Sequence, residues 1–225
     1  MSIPMRLLGI LKKLEQGTMT DTKQKIVDVA CELFAAQGFD GVSIRAIAKA
    51  ADVNLAAVNY HFKNKSFLYA QIITNAKKMF SEEVQSIDDG KISALDASMK
   101  IFDMFMERST QFRHTFAMIL SEAGQDCLEP AELEPGPPGH QTLVDLIRRD
   151  YGESFSKSSV DWAVRCIYSH IAHIALLSGT SLMEKMCSME PEIYTQENQR
   201  KSLKHGVKAI LEYMQNHDGE LTNGF

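Results

Sequence analysis

Residues 53–65 read VNLAAVNYHFKNK. Asn54 and Asn59 each carry a carboxamide, a donor and an acceptor side by side, the pattern that pairs bidentately with adenine N6 and N7. Ala56 and Ala57 lie between them and leave room for a large surface to approach the backbone. Leu55 and Ala56 can add apolar contact, for instance with a thymine methyl. Tyr60, His61, Lys63 and Lys65 follow, an aromatic and basic cluster that suits an anionic partner. This is chemistry of recognition, not of bond making. The rest of the chain offers no paired carboxylates at a motif spacing, no glycine-rich phosphate loop and no triad order, so an enzyme is not expected.

One other constellation has ligand chemistry. Trp162, Cys166, His170, His173 and Leu177 share one helical face. Cys-x-x-x-His-x-x-His suits a soft or borderline metal. A structural zinc site needs a fourth ligand, and none is obviously paired with these. Packing within the domain or against a second subunit, or pocket lining, is the competing use. No metal and no cofactor are expected.

The elements that must position the 53–65 stretch are helical. Residues 21–37 place Ile26, Val29, Ala30, Leu33 and Phe34 at helical spacing, with Asp21 or Thr22 to cap the start and Gly38 to end it in a left-handed conformation. Ser43 caps a second helix whose apolar side is Ile44, Ile47 and Ala48. Ala51-Asp52-Val53 is a tight turn, in which Asp tolerates the left-handed conformation. Asn54 caps a third, short helix to about Tyr60. Residues 43–60 thus form a helix–turn–helix. Val53, Val58 and Phe62 face inward; Leu55, Ala56, Asn59 and Tyr60 are left outside. A fourth helix starts near Lys65 and runs towards Val84.

Beyond residue 85 the pattern stays helical, over 92–108, 112–123, 141–149, 159–178 and 196–215. A real loop, CLEPAELEPGPPGH, interrupts it. The fold class is all-α. A short extension (1–19) precedes the helix–turn–helix domain (20–66), and a larger helical domain follows (67–225). Met99, Phe102, Met104, Phe105, Met106, Phe112, Phe116 and Met118 crowd two successive helices, either as a Met-rich core or as the lining of a pocket.

Net charge is −5 over 225 residues. Residues 1–66 carry nine Lys and Arg against six Asp and Glu, a balance of +3, which leaves −8 for residues 67–225. The electropositive quarter is therefore the one that holds the helix–turn–helix. No run of 18 apolar residues occurs, so no membrane span is expected. The first residues make a poor signal peptide, and the four cysteines include no C-x-x-C pair. A cytoplasmic protein with free thiols is expected.

Residues 20–68 resemble the DNA-binding domain of the TetR/AcrR transcriptional regulators. The resemblance rests on Ala30, Leu33 and Phe34, Gly38-Phe39, Ser43-Ile44-Arg45-x-Ile47-Ala48, Ala51-x-Val53 and Tyr60-His61-Phe62-x-x-Lys65. Asp52 stands where the family commonly has Gly, and Asn59 where it commonly has an aromatic residue. The recognition helix is similar to a branch that includes CecR-type regulators. The resemblance implies that Ser43, Tyr60, His61 and Lys65 hold phosphates of double-stranded DNA. Arg45, Asn54, Leu55, Ala56 and Asn59 are then the candidates for base contact. It further implies a homodimer through helices near 159–178 and 196–215 on a palindromic operator, with an unknown small-molecule effector. Phe102, Met106, Phe112, Phe116, His170 and His173 are the candidate pocket. The function expected is a repressor released by a small, mainly apolar ligand. The alternative is a DNA-binding regulator without small-molecule control.

Overall fold

The computed structural model describes residues 21–121 and 136–218. The expectations for residues 1–19 and for most of the proline-rich loop fall outside them. Among the described residues every regular element is a helix: α1 Asp21–Gly41, α2 Ile44–Ala50, α3 Leu55–His61, α4 Lys65–Gln85, α5 Ala94–Glu107, α6 Ser109–Leu120, α7 His140–Tyr151, α8 Lys157–Leu177, α9 Ser181–Met189, α10 Pro191–Tyr194 and α11 Gln196–Asn216. The all-α expectation is met. No single described helix is long and apolar enough to cross a membrane. The chain divides into two compact units, residues 1–72 with 118–127, and residues 73–117 with 128–225. Helices α4 and α6 each contribute residues to both.

In the first unit, α1 breaks at Gly38, whose φ of 72° and ψ of 173° lie where only glycine is at ease. Gly38 does turn the chain as the sequence predicts, and residues 39–41 then make a separate turn. Ile26, Ala30 and Phe34 of α1 are buried with Ile47 of α2 and Val58 of α3. Phe34 and Phe39 meet the ring of Tyr69 edge-on, at 4.9 and 5.1 Å. The Tyr69 hydroxyl donates to the Met118 carbonyl at 3.1 Å, which ties the end of α6 into this unit.

In the second unit, α8 packs on α5, α7 and α11. Its nine buried residues run from Ser159 to Ala175. Phe80, Phe105, Phe112 and Phe116 form a chain of rings with centroids 4.7–5.7 Å apart, and Tyr168 lies beside Phe105. Tyr168 also donates to the Pro138 carbonyl at 2.6 Å, fixing the end of the loop. Burial pushes its phenol well above the usual range. Gly139 has φ +71°, and a Cβ there would run into Val84. Arg200 meets Asp103 through two hydrogen bonds of 2.8 and 3.0 Å, pinning α11 to α5.

Candidate nucleic-acid interface

A seven-residue helix is not stable alone, so α3 must be held by its ends and its one buried side chain. Asn54 Oδ1 accepts from Ala57 N at 2.7 Å, and Ser43 Oγ accepts from Ala46 N at 3.1 Å at the head of α2. Both caps are those that the sequence predicts. Between them Asp52 has φ 53°, the one positive φ outside glycine among the described residues. The turn is closed by Val53 N donating to Ala48 O at 3.0 Å. Val58 is fully buried, and Phe62 behind it is 1% exposed.

This framework leaves one outward row. Asn54, Leu55, Ala56, Asn59 and Tyr60 are all exposed, and Tyr60 is 86% exposed. Asn54 uses Oδ1 for the cap, so its Nδ2 remains for a ligand. Arg45 is exposed on the first turn of α2, next to Ser43. His61 is half-buried, with Tyr60 edge-on to it at 5.1 Å.

Lys65 has inward partners as well. Its ammonium donates to the carbonyls of Phe39 at 2.9 Å and Val42 at 3.1 Å, and lies 4.0 Å from the centre of the Phe39 ring. Two of its three N–H groups are thus committed inward. It clamps the connector between α1 and α2 onto the start of α4. Lys63 is exposed, 5.8 Å from the Phe67 ring, and is the outward cation at this end. Sequence reasoning missed Asn64, whose Oδ1 accepts from Phe67 N at 2.7 Å and caps α4. An Asn three residues ahead of an apolar run was the available signal.

The candidate pocket residues separate. Phe102 is fully buried and Phe112 is 9% exposed, and Phe116 packs against the same core cluster. His173 is exposed, and His170 is half-buried with its ring against Gly206 of α11. Burial, and then the nearby His173, push the His170 pKa down. The helical stripe of Trp162, Cys166, His170 and His173 is therefore largely used for packing; Trp162 lies 5.4 Å from Tyr213. Among the described residues no three His, Cys, Asp or Glu side chains converge on a metal position. Met106 alone of the six lines an open cleft of about 520 Å³, whose other walls come from α9, α10 and the start of α11. The sequence reading had left residues 179–195 unassigned.

The first unit thus holds a helix–turn–helix with an exposed outward row, and the second unit is helical throughout its described residues. Residues 26–72 match the family described as bacterial regulatory proteins, tetR family, so this segment is similar to the DNA-binding domain of that family. It is 40% identical over 65 residues to a probable HTH-type transcriptional regulator, YttP of Bacillus subtilis, covering 29% of this chain and 31% of that one. It is 34% identical over 58 residues to the negative transcriptional regulator of a biofilm operon, IcaR of Staphylococcus epidermidis, covering 26% and 31%. These relatives are named as transcriptional regulators, not enzymes. The matched segment spans about a third of their length. Salmonella enterica GusR superposes with a TM-score of 0.62 at 16% identity, covering 87% of this chain and all of that one. That likeness concerns the fold.

Proposed function

We propose that this chain is a sequence-specific DNA-binding regulator of transcription that acts in the cytoplasm as a homodimer on a palindromic operator. The observation that carries the reading is the outward row of α3, with two carboxamides and an exposed phenol over a buried Val58. In the bound state α3 lies in a major groove. Asn54 Nδ2 and Asn59 face base edges, Leu55 and Ala56 make apolar contact, and Tyr60, His61 and Ser43 hold phosphates. Arg45 reaches a base edge or the adjacent minor groove. Lys65 stiffens the motif from behind.

One short helix reads too few bases for specificity, and a two-fold dimer doubles the contacts. Copies of α8 and α11 are the proposed interface, and they would set two recognition helices about 34–36 Å apart. A repressor is the favoured sign, in keeping with one relative named as a negative regulator. An effector that prefers another spacing shifts the population away from DNA. Helix α4 is the natural lever, because one continuous helix contributes to both units. The ring-on-ring packing of Phe80, Phe105, Phe112 and Phe116 in the second unit favours a second reading, a DNA-binding regulator without small-molecule control.

Selection of binding sites from random DNA with the purified chain tests the proposal, and a palindrome with half-sites one helical turn apart is the expected result. Tyr60→Ala and Asn59→Ala should each weaken binding to the selected site by about 100-fold or more, with unchanged circular dichroism. Full affinity in both variants would overturn the site assignment.

A further inference from the structure

Asparagine recurs at 54, 59 and 64, in and around α3, and the structure gives the three side chains different work. Asn54 and Asn64 each start a helix. Oδ1 of Asn54 accepts from Ala57 N at 2.7 Å, and Oδ1 of Asn64 accepts from Phe67 N at 2.7 Å. Asn59 sits inside α3, exposed, and its carboxamide has no hydrogen-bond partner among the described residues. Asn is a poor helix former because its side chain competes for backbone groups, and no local bond offsets that here.

The cap determines which end of Asn54 is offered to a partner. A backbone N–H must face the amide oxygen, so the oxygen is the inward atom and the nitrogen the outward one. The C–O and C–N bonds of a carboxamide diverge, so an oxygen held against the first turn of the helix leaves Nδ2 pointing away from it. Reading adenine takes both ends of the amide at once, the oxygen on N6 and the nitrogen on N7. Asn59 has both ends; Asn54 has donors alone. In the major groove a pair of donors is met best by guanine, which offers O6 and N7, and less well by thymine O4 or adenine N7. Cytosine offers its N4 amino group, a donor set against a donor.

We infer that the two asparagines of α3 read different bases: Asn59 takes an adenine, while Asn54, restricted to donation by its cap, takes a guanine and excludes cytosine. The inference rests on the operator reading above and assigns the base at two positions of each half-site. It replaces the equivalence that the two side chains have in sequence. Leu55 and Ala56, exposed beside them, carry no polar side-chain atom and supply no acceptor in place of the one the cap removes. Arg45 favours guanine wherever it reaches a base edge, so variants of the asparagines themselves make the assignment.

The test is selection of binding sites from random DNA by the full-length chain and by three variants, with preferences compared position by position. The wild-type chain should select one half-site position with guanine over cytosine and another with adenine, each by about tenfold. Asn54→Asp keeps an oxygen for the cap and puts an acceptor where Nδ2 was. Its urea midpoint should hold, while the preference at its position turns from guanine to cytosine. Asn54→Ser commits its single oxygen to the cap and should leave that position with little preference. Asn59→Ala should flatten the adenine position and leave the guanine position as it is. An unchanged base profile in Asn54→Asp, or cytosine serving as well as guanine at every wild-type position, would overturn the inference. Should the added charge stop Asn54→Asp from selecting any site, Asn54→Ser decides, and a guanine preference undiminished there overturns it too. A wild-type chain that selects no sequence removes the operator reading, and this inference with it. A selected palindrome whose profile ignores both asparagines removes this inference alone.

Discussion

Helix α3 is seven residues long and buries Val58 alone; helix α8 is 21 residues long and buries nine side chains. The first is held by caps and by its neighbours. The second is held by apolar area. This difference decides what a substitution does. On α3 an outward side chain can change without touching the fold, so its effect appears in binding. On α8 almost any change is felt as packing, so its effect appears in stability. A surface built for a partner and a core built for itself thus fail in separable ways.

The sharpest break of that separation is at Gly139. Gly139→Ala adds a Cβ against Val84 at a positive φ, and should lower unfolding free energy by about 3 kcal/mol. Urea titration would measure it, while affinity for the selected DNA, per folded chain, stays the same. Next comes Lys65→Met, which removes the two carbonyl bonds and should cost about 1–2 kcal/mol. Its diagnostic is the salt dependence of DNA binding, whose slope should not change. A slope shallower by about 1.8, for two ammoniums per dimer, would place the ammonium on a phosphate as well.

A third, smaller effect is set by pH. Burial lowers the pKa of His140 and His170 in the second unit. For His140 the pair with Asp161 at 3.5 Å acts the other way, but burial is the larger influence. The folded state thus keeps both rings neutral at a pH where the unfolded chain already takes up protons. Stability should be full above the ordinary value of 6.5 and fall as pH drops below it. A urea midpoint that is flat from neutral pH down into the mildly acidic range would contradict this. Smallest of all is Asp52→Gly. Relief of the left-handed strain is nearly offset by glycine's entropy, and stability should rise by no more than about 0.5 kcal/mol.

What the sequence made legible follows the same division. Ser43, Asn54 and Asp52 act within three or four residues of themselves, so their types and spacing disclosed the caps and the turn. Tyr60 and Asn59 were readable as outward because Val58 between them and the opposite face was readable as inward. Lys65 was not legible, because its partners lie 26 and 23 residues back, at Phe39 and Val42. In the second unit, Phe102 and Phe112 look the same in sequence whether they line a pocket or fill it, because their neighbours Phe80 and Tyr168 come from helices distant in sequence. Helices α9 and α10 escaped because SLMEKMCSMEPEIY has no clean periodicity. Thr180, which accepts from Met183 N at 3.2 Å, and Pro191 at the head of α10 were the local signs of helix starts.

The meeting of His170 with Gly206 has a mechanical consequence. The imidazole occupies the space that a Cβ would need, with ring atoms 3.0 Å from it. It acts as a key in a slot that is one residue wide. Sliding α11 by one turn, about 5.4 Å, would bring Ser202 or Ile210 to the slot, and neither leaves it open. While His170 keeps its place, these two helices resist sliding past each other, and a roll or a tilt costs less than a ratchet.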